Sequence, residues 1–149
     1  MIMDERTEFC DATALNTGAA GTYNIGDVID LEVARNLGQK VIYLVVQVST
    51  TVTSGGSATV AFQLASDSTE TLSTDDTQSK HFTSAAIGKA TLVAGYRAVV
   101  VAIPLEGVAY ERYLGLQQIT AVAALTAGAV DAFLTLDPPG WEALPDAIN

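Results

Sequence analysis

Short apolar or alternating runs, each closed by Gly, Asn, Asp or Ser, recur along this chain with little sustained 3.6-residue periodicity. That rhythm predicts strands. Thr22 to Leu31 opens the series, with Tyr23, Ile25 and Val28 pointing inward, before Asn36-Leu37-Gly38 turns the chain. Val41 to Val48 is apolar on both faces, as a central strand covered on each side requires. Ser49 to Ser57 is rich in Ser and Thr and contains Gly55-Gly56, which reads as a hairpin tip. Ala58 to Leu64 then alternates, with Val60, Phe62 and Leu64 facing the core. Further strands are expected at Ala90 to Val93, Arg97 to Ile103, Tyr113 to Ile119 and Gly128 to Leu136, with breaks at Gly95, Pro104, Gly107 and Gly128. Seven or eight strands at this spacing predict an all-β, antiparallel two-sheet sandwich of jelly-roll type.

The 149 residues suit one domain. A 49% hydrophobic fraction and a mean hydropathy of +0.31 provide for a substantial core. The ends differ from the body: residues 1–10 read as an extended N-terminal arm, 11–136 as the sandwich, and 137–149 as a C-terminal tail that Pro138-Pro139 lead out of the sheet. Asp11 to Leu15 and Leu125-Thr126-Ala127 could each form a short helical turn. Met1-Ile2-Met3-Asp4-Glu5 carries acids where a secretory leader carries bases, so no export is expected. The longest apolar block, Val41 to Val46, is too short to suggest a membrane span. Cys10 is alone and reads as a small reduced thiol without a disulfide partner.

Seven Lys and Arg against seventeen Asp and Glu give a net charge of −10. Phosphate binding rests on clustered Lys and Arg, so nucleic acid is not an expected partner. If the chain belongs to a particle that packages DNA, it should lie on the outside. Acidity that simply keeps an abundant protein soluble gives the same charge.

Little in the sequence points to catalysis. His81 is the only histidine and has no supporting motif, so an ordinary loop histidine outweighs a catalytic one. Nucleophile elbow, phosphate loop and dinucleotide fingerprint are all missing from the sequence, and no cofactor is expected. The acids concentrate at the termini and between Ser66 and Lys80, where a solvated loop outweighs a paired-carboxylate site. Asp67, Glu70, Asp75 and Asp76 offer hard oxygens, but their spacing lacks a calcium-loop pattern, and an acidic solubilising loop is the better reading. Tyr96-Arg97 and Glu111-Arg112-Tyr113 pair aromatics with bases. These residues anchor interfaces or equally form edge ion pairs and half-buried tyrosines.

Ordered segments across most of the chain resemble the cement (decoration) proteins of short-tailed and related tailed bacteriophages. They are Phe9 to Leu15, Ile29-Asp30-Leu31, Tyr43 to Val48, Ala58 to Leu64, Ile103-Pro104, Glu111 to Leu116 and Leu125 to Val130. That family often has a basic residue in the strand after the Arg-Tyr pair, where this chain has Gly115. The resemblance implies a structural jelly roll on the outer surface of the virion head, bridging subunits of the major capsid protein. A homo-oligomer is expected, with a dimer preferred to a trimer. Phe9, Arg97, Arg112, Tyr113, Trp141, Leu144 and Ile148 are the candidate contacts with capsid or a second copy. A carbohydrate-binding jelly-roll module using Trp141 and the tyrosines is the alternative, and an enzyme with an acidic site ranks last.

Overall fold

The computed structural model describes residues 5–34 and 40–137. Among these residues a 3-10 turn at Glu5–Thr7 leads into nine strands: β1 Glu8–Ala14, β2 Gly21–Asp30, β3 Tyr43–Thr53, β4 Thr59–Asp67, β5 Ser79–Thr83, β6 Ile87–Gly88, β7 Arg97–Ala102, β8 Tyr113–Ala121 and β9 Ala127–Thr135. The first sheet has the order β1-β9-β3-β7; the second has β2-β8-β4-β5, with β6 also on β4, and every pairing is antiparallel. The chain crosses repeatedly from one sheet to the other, so neighbours within a sheet are distant in sequence. This winding is a jelly roll.

Alternation supplies the core. Leu44, Val46 and Val48 of β3, Val60, Phe62 and Leu64 of β4, Leu114 and Leu116 of β8, and Val130 and Ala132 of β9 are buried between the sheets. Burying each larger side chain contributes about 1.5–3 kcal/mol. Val45 lies on the opposite side of β3 and is also buried, as its two-faced apolar pattern required. Gln118 is an inward-facing exception on β8: its amide both accepts from Asn16 N–H (2.8 Å) and donates to Asn16 C=O (3.0 Å), closing the β1–β2 link.

Several expectations need correction. The Gly55-Gly56 turn is not a hairpin tip, because β3 continues to Thr53 in the first sheet and β4 starts in the second. Turn residues mark a reversal but carry no information on which sheet receives the next strand. No strand forms at Ala90 to Val93, where turns bury Leu92 as a plug. Asp11 to Ala14 is strand, not helix, and the N-terminal arm stops before residue 8. Phe9 and Cys10 are 1% and 2% exposed, because β1 pairs with β9 and turns both inward. Burial pushes the Cys10 thiol up to about 12, leaving it unreactive.

Candidate interaction surface

The acidic Ser66–Lys80 segment is largely a lid on the second sheet. Its first two residues complete β4, and residues 68–78 then fold back over the outer face. Leu72 is buried there over Gly115, where a Cβ would lie 3.1 Å from its methyl carbon. The absence of a side chain at 115, noted above as a departure from the cement-protein pattern, makes room for the lid.

A polar network fastens the lid from below. Gln117 Nε2 donates to Asn24 Oδ1 and to Ser73 C=O, both at 2.8 Å. Its Oε1 accepts from Gln63 Nε2 (2.8 Å) and Gln78 Nε2 (3.1 Å). Asn24 Nδ2 donates to Leu72 C=O, and Thr83 Oγ1 donates to Gln63 Oε1. Burial raises the Asp67 pKa, but N–H donors from Ser73 and Ser68 overcome it and hold the carboxyl below its ordinary value. Asp75 caps Thr77 through its hydroxyl and backbone N–H, and Asp76 pairs with Lys80. Among the described residues, no three His, Cys, Asp or Glu side chains are grouped to hold a metal.

His81 belongs to a clasp at the edge of this lid. Its ring stacks on Tyr110 at 3.7 Å and 14°, and its Nε2 lies 2.7 Å from Ser66 Oγ. Ser66 also accepts the Glu111 N–H and is fully buried, so both partners of its oxygen are structural. Tyr110 donates to Pro104 C=O. Burial lowers the His81 pKa from 6.5 to about 4 against the opposing field of Glu111. The unfolded chain therefore binds the extra proton between these values. Stability is complete above about pH 6.5 and falls as the pH drops toward about 4. With the ring half exposed, screening limits the loss to about 1–2 kcal/mol. Melting curves of wild type and His81→Gln between pH 7.5 and 4 should converge in acid; parallel curves would contradict this.

Of the eight large exposed apolar side chains among the described residues, four gather at one end of the sandwich. By strand direction, the end of β2, the start of β3, the end of β7, the start of β8 and the end of β9 share one end of the sandwich. Val33, Val41, Val108 and Leu136, between 49% and 59% exposed, lie on the links there. Arg112 and Tyr113 also lie at this end, with the Arg112 guanidinium 4.9 Å above the Tyr113 ring and bonded twice to Asp30 at 2.8 Å. Those bonds hold the exposed Asp30 carboxyl down at about 2 and raise the Arg112 pKa. The described chain enters at residue 5 and leaves at residue 137 on this same end.

Of the expected contacts, only Arg112 and Tyr113 are thus brought together. Arg97 is exposed at the start of β7, opposite Gln47 on the first sheet. Phe9 is corrected from interface to core. Trp141, Leu144 and Ile148 lie outside the described residues, as does the turn expected at Asn36-Leu37-Gly38. Gln63, Gln78 and Gln117 carried no sequence signal beyond polar residues in or beside strands.

The model of one protein family, Bbp16, matches residues 9–134. The chain belongs to the Bbp16 family. That name is phage-related and makes this a phage-associated protein. The Bbp16 match begins inside β1 and ends inside β9, so it spans the jelly roll of this chain. It stops before Trp141, Leu144 and Ile148. No curated protein matches the chain.

Proposed function

We propose that this protein is a structural cement protein, bound to the outer surface of a phage head and bridging major-capsid-protein subunits. The carrying observation is the phage-related family match across the roll, on a scaffold where the buried Gln63, Gln117 and Ser66 serve internal fastening. Net charge −10 favours the outside of a DNA-filled shell, where phosphate repulsion is absent. The exposed apolar end with its Arg112–Tyr113 pair offers contact surface, and repetition over a symmetric shell multiplies a modest contact. The tyrosines, by contrast, are spread over separate elements, with Tyr23 bonded to Ala19 and Tyr110 stacked on His81. That distribution favours capsid binding over a sugar-stacking platform.

Co-sedimentation with expanded, emptied heads of the parent phage tests the reading. The protein is expected to be retained and to raise the temperature at which the heads disrupt, with no shift of duplex DNA in a gel at physiological salt. Deleting residues 138–149 should reduce retention while leaving the domain's melting temperature unchanged. Failure of the full chain to bind heads, or tight duplex binding, would overturn the proposal. Retention on a polysaccharide matrix alone would favour the sugar-binding module.

A further inference from the structure

Among the described residues the two sheets present four edge strands, and three of them are blunted against further pairing. β1 breaks register on both sides of Cys10 and carries Glu8 and Asp11. β2 breaks register between Ile25 and Ile29 and carries Asp27 and Asp30. β5 has only five residues, including exposed Lys80, and β6 has two. Such devices keep sheets from extending into neighbouring molecules.

β7 lacks them. It reads Arg-Ala-Val-Val-Val-Ala, keeps unbroken register with β3 from Val99 to Ala102, and has no Gly, Pro, Lys or acid. Ile103 N–H donates to Ile42 C=O, so the bonded pairs with β3 continue at Val101 and Val99. The N–H and C=O of Val100 and Ala102 consequently point away from β3, toward a side where no described strand pairs with β7. Val100 is 47% exposed on the outer face.

Charge indicates the occupant. From Thr77 to Leu105 the sequence has no Asp or Glu, yet holds Lys80, Lys89 and Arg97. The segment carries +3 and the remainder of the chain 4 − 17 = −13. It supplies β5, β6 and β7, which lie on the side of the sandwich opposite the packed β1 and β2. Two copies that each carry −10 repel one another least where acids are missing.

We propose that β7 pairs with β7 of a second copy, antiparallel about a two-fold axis at Val100. This register matches the chemistry on both sides of the axis. Val100 meets Val100, exchanging both outward backbone bonds, while Val99 faces Val101 toward the core side. Arg97, beyond the register break, lies toward the Ile103 end of the partner strand and far from the partner's Arg97, so no like charges meet. The two four-stranded sheets become one of eight, joined by an isologous contact.

This inference is independent of the capsid reading, and its tests involve no capsid. Sedimentation velocity at micromolar concentration should give twice the 15.5 kDa chain mass for wild type. Val100→Lys, which puts two ammonium groups on the axis, and Val100→Pro, which removes an N–H that the β3 ladder does not use, should both give monomers. Val122→Lys, at a 74% exposed position on the β8–β9 turn, should remain dimeric. In amide exchange, Val100 and Ala102 should be protected in wild type and exchange at least about tenfold faster in Val100→Lys, while Val99 and Val101 stay protected by β3. A monomeric wild type overturns the proposal. So does a dimer that survives both substitutions, or a Val100 amide that exchanges equally fast in wild type and Val100→Lys.

Discussion

Gly26→Ala is expected to unfold the domain under conditions where wild type is fully folded. Gly26 has φ +69, in the left-handed region, where Ala carries a penalty of about 1–2 kcal/mol. The larger cost is spatial. A Cβ there would lie 1.9 Å from the Phe9 carbonyl oxygen, 2.8 Å from its carbon and 2.5 Å from Cys10 Sγ. Two of these are backbone atoms that no rotamer change can move, so β1 must back away from β2 or leave β9. Either movement pulls Phe9 and Cys10 from the core, for a total above about 3 kcal/mol out of a typical 5–15. A urea titration should show a large drop in midpoint, and Cys10 should become reactive toward a thiol reagent. An unchanged midpoint with a shielded Cys10 would refute the expectation.

Gln117→Met should cost about 2–4 kcal/mol and release the lid without unfolding the roll. Methionine nearly matches glutamine in volume but leaves Gln63, Gln78, Asn24 and Ser73 each short of a partner in a buried site. For a chain of this size the melting temperature should fall by about 4–16 °C. Limited proteolysis should then cut within residues 68–78, while amides in β3 and β9 keep their protection. A lid that stays resistant would show that Leu72 on Gly115 suffices to hold it.

The contrast between these glutamines and the core explains what the sequence revealed. Val60, Phe62 and Leu64 alternate with smaller or polar residues, and period-two burial follows directly from the pleat. The same alternation sends Gln63 to the outer side, where a strand read alone places it in water. Its burial depends on a lid returning from later in the chain, which no local pattern encodes. β5 was hidden for the same reason: Ser-Lys-His-Phe-Thr has weak strand character, and its ladder with β4 decides the matter. The Arg112–Tyr113 pair was visible because its members are adjacent, but Asp30, 82 residues away, was not. Phe9 was misread because an apolar residue near a terminus looks the same whether its strand joins the sheet or leaves it.

The pairing of the first strand with the last has a mechanical meaning. Glu8 lies opposite Phe133, so the incoming and outgoing chain leave from the same end of adjacent antiparallel strands. Tension drawing those two ends apart loads the β1–β9 ladder one bond pair at a time, and it opens like a zip from Glu8 toward Ala14. Tension between opposite ends of the sandwich instead loads whole ladders in shear, with many bonds resisting together. The roll is therefore soft to a pull between its own termini and stiff along its strands, so a load shared between molecules is carried best when it runs along the strand axis.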